Sequence, residues 1–185
     1  MTGKERIEAI CKSVPDFKVL YNNRVRHYII KDHILNVYNQ FEQYFKDEFE
    51  ESEIEDFRLF LFVHDIGKSS AYKKGNKDDQ YVETIELISK HRSELELSDN
   101  QFALYKALLN SWTIGKYMEN KISLDETYNN IVQQAKISEI SVDHFFYLLS
   151  VYYQCDVASY TKDAGGLPFL ENLFEYQNGL KNYCK

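Results

Sequence analysis

The run Leu59-Phe60-Leu61-Phe62-Val63-His64-Asp65-Ile66-Gly67-Lys68 decides how the chain is read. Five apolar residues end in an adjacent His-Asp pair, then a glycine, then a lysine. A buried helix that delivers an imidazole and a carboxylate at its last turn is costly unless something pairs with them. A divalent metal would pair with both.

The flanks extend that reading. Ser52-x-x-Glu55 has the form of a capping box, which predicts a helix over 53–66 closed by Gly67. Upstream, Ile30, Ile34, Val37, Tyr38, Phe41 and Phe45 recur at helical spacing and predict a helix over 29–47. His33 lies on that face between Ile30 and Val37. Downstream, residues 141–160 read as a strongly apolar helix. Phe145, Leu148, Leu149 and Tyr152 form a stripe, and Asp156 falls next on it. Taken singly, His33 reads as a core histidine and Asp156 as a buried salt bridge or a cap. Taken with His64 and Asp65 they make a mixed nitrogen and oxygen donor set, which suits Mn, Fe, Co, Ni, Zn or Mg.

Composition sets the frame. The 185 residues fit one domain with a sizeable core. Tyr (15) and Phe (12) supply much of that core. Gly (7) and Pro (2) are too scarce for many hairpins, and period-2 alternation is nowhere sustained, so the expected class is an all-α bundle. Lys and Arg (22) against Asp and Glu (29) give a net charge of −7, a poor match to extended nucleic acid. Cys11, Cys155 and Cys184 have no paired spacing. With no apolar leader and no transmembrane run, they read as reduced thiols in a cytoplasmic protein.

A short helix spans 4–12, Pro15 breaks it, and 16–27 are irregular. The acidic stretch 47–56 is a solvated helix start. Lys68 to Asp79 is a polar loop, and a helix follows over 79–93. Ser98-x-x-Gln101 caps a helix carrying Phe102, Tyr105, Leu108, Leu109 and Trp112, and Ser123-x-x-Glu126 caps another. Gly165-Gly166-Leu167-Pro168 turns the chain into a last helix over 168–181.

A metal held at His33, His64, Asp65 and Asp156 would lower the pKa of bound water and orient it. Asp65 could then be both ligand and general base. Lys68 can meet an anionic substrate group or cap its helix. Arg24, Arg26 and His27 precede the first ligand helix, where they can clamp such an anionic group or simply be solvated. Cys155 beside Asp156 reads as a small buried hydrophobe.

An early helical histidine, an apolar helix ending His64-Asp65-Ile66-Gly67-Lys68, and a late helical aspartate resemble the HD-domain metal-dependent phosphohydrolase superfamily. The likeness spans roughly 27–160, with Phe62 to Lys68 its most specific part. It implies one HD-domain-like helical bundle over 1–185, holding one divalent metal on His33, His64, Asp65 and Asp156. It also implies a hydrolase acting on a small phosphorylated substrate, with a nucleotide as the expected class, and with Asp65 and Lys68 as catalytic residues. The alternative is a catalytically weak or inactive bundle that serves as a ligand- or protein-binding module. Members with several metals carry more histidines between the His-Asp pair and the last aspartate. Here His91 is the one well inside that interval, and Tyr81 and Asn110 stand where further ligands would be sought. One metal is therefore expected, with His91 at the mouth of the site contacting substrate or water. A Glu-Asp pair soon after Asp65, expected of alarmone hydrolases, is absent. So is the Gly-Tyr-Pro signature of the cyclic dinucleotide branch.

Overall fold

A computed structural model describes residues 1–76 and 79–159, together with the backbone of two strands at 174–176 and 180–183. The class is all-α. In chain order the described elements are α1 (Gly3–Ser13), α2 (Asp16–Asn22), β1 (Arg24–Val25), β2 (Tyr28–Ile29), α3 (Ile30–Tyr44), a 3-10 turn (Lys46–Glu48) and α4 (Glu51–Val63). Then come α5 (Lys68–Lys73), α6 (Gln80–Lys90), α7 (Asp99–Asn110), α8 (Thr113–Met118), α9 (Leu124–Ile137), α10 (Val142–Ser159), β3 (Phe174–Tyr176) and β4 (Leu180–Tyr183). No helix among the described residues is long and apolar enough to cross a membrane.

Three helices build the centre. Tyr38 of α3 meets Phe62 of α4 at 5.0 Å between ring centroids, and Phe41 meets Phe57 at 5.2 Å, so α3 and α4 run antiparallel. Asn36 Nδ2 donates to the Ser159 carbonyl at 3.3 Å, while Tyr147 stacks on Phe49 beyond the far end of α3. α10 is therefore also antiparallel to α3. The amino end of α3 and the carboxyl ends of α4 and α10 meet in one place, and the two carboxyl ends bring the negative poles of their dipoles there. Arg58 holds Glu42 with two bonds of 2.6 Å and reaches Glu55, which also pairs with Arg6 of α1. This network clamps α1, α3 and α4 at the end remote from that meeting point.

The capping boxes expected at Ser98 and Ser123 are both formed. Each is worth about 1 kcal/mol. Other expectations are corrected. Residues 16–27 are not irregular: Phe17 and Tyr21 lie on the buried face of α2, and Arg24–Val25 pairs with Tyr28–Ile29 as a tight hairpin. Ser52 does not cap α4, which starts at Glu51 behind Glu50, because Glu55 is drawn to Arg6 and Arg58 instead. α4 stops at Val63, and His64 to Gly67 form a turn. Lys68–Lys73 is not loop but α5, with Lys68, Ser69 and Ala71 buried. Trp112 lies past the end of α7 and opens α8. Of the helix expected over 168–181, Phe174–Tyr176 and Leu180–Tyr183 instead pair as antiparallel strands; the remainder, with the turn at 165–168, lies outside the described residues.

Candidate metal centre

His33 sits in the first turn of α3, His64 and Asp65 follow the end of α4, and Asp156 lies in the last turn of α10. All four are buried. Each offers one donor atom, and these atoms all lie within 4.8 Å of one another. His33 Nε2 is 3.0 Å from Asp65 Oδ2 and 3.1 Å from Asp156 Oδ1. His64 Nε2 is 3.9 Å and 3.5 Å from the same two oxygens. Donor bonds of about 2.0–2.2 Å to one ion place donor atoms roughly 3–4.4 Å apart, so the spacing fits.

The tautomers fit as well. Ser159 Oγ donates its proton to the Asp156 carbonyl at 2.6 Å, so at 2.8 Å it accepts from His33 Nδ1. His64 Nδ1 donates to the Leu61 carbonyl at 2.7 Å. Both rings therefore turn Nε2 inward. His64 Nε2 is buried and completes no hydrogen bond, a cost that a metal would remove. The cluster is thus able to hold a metal ion on His33, His64, Asp65 and Asp156.

Lys68, in the first turn of α5, is buried with its ammonium 2.6 Å from Asp65 Oδ2. Burial alone would raise the Asp65 carboxyl, but Lys68, His64 and His33 together hold it well below the usual carboxylate range. Asp156 is held down in the same way by His33 and His64 against its own burial. For His33, burial favours loss of the proton, yet the facing Asp156 and Asp65 carboxylates outweigh it and raise the imidazole pKa. Gly67 makes the junction possible. A Cβ there would lie 2.3 Å from the Thr84 backbone nitrogen, so the His-Asp turn and α6 touch at a place no side chain could enter. Gly67 N–H donates to Thr84 Oγ1 at 3.2 Å.

His64, Asp65, Lys68 and Asp156 line a cleft of about 630 Å³. Tyr152 backs it, edge-on to His64 with ring centroids 5.4 Å apart. Trp112, Lys116, Lys121, Tyr81 and Asn110 line it too. The remaining expected site residues lie elsewhere. Arg24 and His27 border a smaller pocket of about 220 Å³ on the side of His33. Arg26 is exposed with its guanidinium 5.6 Å over the Tyr72 ring. His91 is not at the mouth of the site: it is buried at the end of α6, 5.4 Å from the Phe17 ring and between Asp16 and Glu94. Cys155 is fully buried, which with Asp156 pushes its thiol well up.

Sequence reading missed Tyr28, Ser159, Thr84 and the clustering of Trp112, Lys116 and Lys121. Tyr28 lies 5.1 Å from the His33 ring and 5.6 Å from Lys68 Nζ; burial first, then the Asp65 charge, pushes its phenol up to about 12. A signal for Ser159 was available, since it stands one helical turn after Asp156. Comparison with protein-family models, curated proteins and solved structures gives no match.

Proposed function

We propose that the protein is a metal-dependent phosphohydrolase of the HD type, acting on a small phosphorylated substrate with a nucleotide as the first candidate class. The observation that supports it is the set of four buried donors within 4.8 Å, two of them imidazoles locked with Nε2 inward, three of which (His64, Asp65 and Asp156) line a cleft that also carries a buried lysine. His33, His64, Asp65 and Asp156 would hold one divalent ion, drawn from Mn, Fe, Co, Ni, Zn or Mg. When bound, such an ion supplies an acidified water and neutralises phosphoryl charge.

The chain's own groups divide the remaining work. Asp65 stays ionised beside Lys68 and presents a carboxylate that accepts a proton from a water lodged against it. Lys68 brings a desolvated cation to the same cleft, where it offsets charge on a phosphoryl oxygen. Tyr152 and the apolar stripe of α10 exclude bulk water from behind the cluster. Trp112, with its ring 5.5 Å from Tyr153, offers an aromatic face to a base, and Lys116 offers a cation to a further phosphate, while Lys121 is paired with Glu119 at 2.6 Å.

The test is a phosphate-release screen over nucleoside mono-, di- and triphosphates with each metal in turn, alongside elemental analysis. Asp65→Asn is expected to abolish turnover while the circular dichroism spectrum is unchanged. One observation favours the second reading, a binding module without turnover: Lys68 already pairs with Asp65, which offsets one of the cluster's two carboxylate charges without any ion. Metal and nucleotide binding with no phosphate released under any metal would decide for that reading.

A further inference from the structure

On the side of α3 that carries Lys31, Asp32 and Leu35, α1, α2 and α3 enclose a groove of about 720 Å³. Its base is apolar, made by Ile7, Tyr21 and Leu35, and its rim carries Lys4, Lys12, Lys18 and Lys31. Two carboxylates, Glu8 and Asp32, share the lining, so four ammonium groups against two carboxylates give a local charge of +2 in a chain whose net charge is −7. Lys4, Glu8 and Lys12 stand at helical i, i+4 spacing, which normally pairs such groups. Yet none of the four lysines forms an ion pair among the described residues; Lys31 instead donates to Asn22 Oδ1 at 3.3 Å. In contrast, Lys68, Lys74 and Lys90 are all paired. The half-buried thiol of Cys11 also lines the groove. Burial raises its pKa, against the pull of Lys18 and Lys31.

We propose that this groove is a second ligand site, separate from the metal centre, for a small organic anion with one phosphate, sulfonate or carboxylate group on an apolar body. The apolar base takes the body by the hydrophobic effect. The lysine rim takes the charged group, and no protein carboxylate has to be displaced from it. A purely inorganic anion would leave the base wet and bind weakly, whereas a neutral apolar compound would leave the rim uncompensated.

The probe is anilinonaphthalenesulfonate, added to the full chain carrying Cys184→Ser, so that Cys11 is the partly exposed thiol under observation. Binding is followed by fluorescence, and Cys11 by its rate of reaction with dithiodipyridine. The structure requires a single saturable site whose occupation protects Cys11. Lys12→Gln combined with Lys18→Gln should weaken the probe about tenfold, with an unchanged melting temperature because both side chains are exposed. Added salt should weaken it too. The Asp65→Asn protein should bind the probe as the parent does. Cys11 reacting at the same rate when the probe is saturating, a double variant with parental affinity, or loss of binding in Asp65→Asn would each overturn the proposal. The last would place the probe in the metal cleft.

Discussion

Replacing Lys68 by methionine should separate the metal-free from the metal-bound state of the cluster. Without metal and with His33 protonated, Asp65 and Asp156 contribute −2 and Lys68 and His33 contribute +2, so the buried charge is zero. Lys68→Met leaves −1 in a water-excluded site. Removing one partner of such a pair costs about 3–5 kcal/mol. With a divalent ion and neutral His33, the parent cluster stands at +2 − 2 + 1 = +1, and the variant at zero. The ion therefore offsets most of the loss, leaving a packing change of below about 1.5 kcal/mol, since methionine keeps the stem volume. The difference, about 2–4 kcal/mol, reappears as metal binding tighter by roughly 30- to 1,000-fold. In a chain of this size 1 kcal/mol moves the melting temperature about 2–4 °C, so the variant should melt about 10 °C below the parent in chelator and within a few degrees of it in excess Mn²⁺. Thermal melts under the two conditions measure this directly. An equal loss with and without metal would refute the charge balance and leave Lys68 a purely packed residue.

Ser159→Ala removes the acceptor that fixes His33 Nδ1, and should weaken metal binding about 10- to 100-fold without unfolding α10; competition against a chelator reads it, and parental affinity would sink the tautomer argument. Proton and metal compete for His33 Nε2, whose pKa is raised in the metal-free cluster. The stability gained from that proton is full below the unfolded value of about 6.5 and is lost as pH rises through the higher folded value. Metal affinity must run the other way, climbing up to about tenfold per pH unit and levelling above that folded value; an affinity independent of pH between about 5.5 and 8 contradicts it. Gly67→Ala drives a methyl into the Thr84 backbone and should cost about 2–3 kcal/mol in urea melts, whereas a cost near zero would mean that α6 is free to retreat.

The four donors were legible because each breaks a pattern that is otherwise apolar. His33 interrupts the buried face of α3, and Asp156 closes the stripe of α10. Their burial makes a polar residue there expensive, and expense is visible in sequence. α5 was not legible for the converse reason. Lys68-Ser69-Ser70 looks like loop, and its burial comes from α6 and from the pairing of Lys68 with Asp65, neither of which is local. The false capping box at Ser52 shows the same limit. A local motif offered Glu55 one bond, and two arginines from tertiary structure offered it stronger ones. His91 was drawn toward the site by its sequence separation from His64, but Phe17 and Asp16 of α2 claim it.

α4 ends where the chemistry starts, and the two facts are one. In the last turn of any helix the carbonyls run out of backbone donors. Leu61 has such a carbonyl, and the proton it takes comes from an imidazole, His64 Nδ1. Helix length is thus the setting that selects which nitrogen of His64 faces inward. One further turn of regular helix would supply Leu61 with a backbone N–H, release the ring to its other tautomer, and set Asp65 about 100° round the axis from His64. Substitutions that strengthen this helix end, which ordinarily stabilise a protein, should here trade metal affinity for helicity.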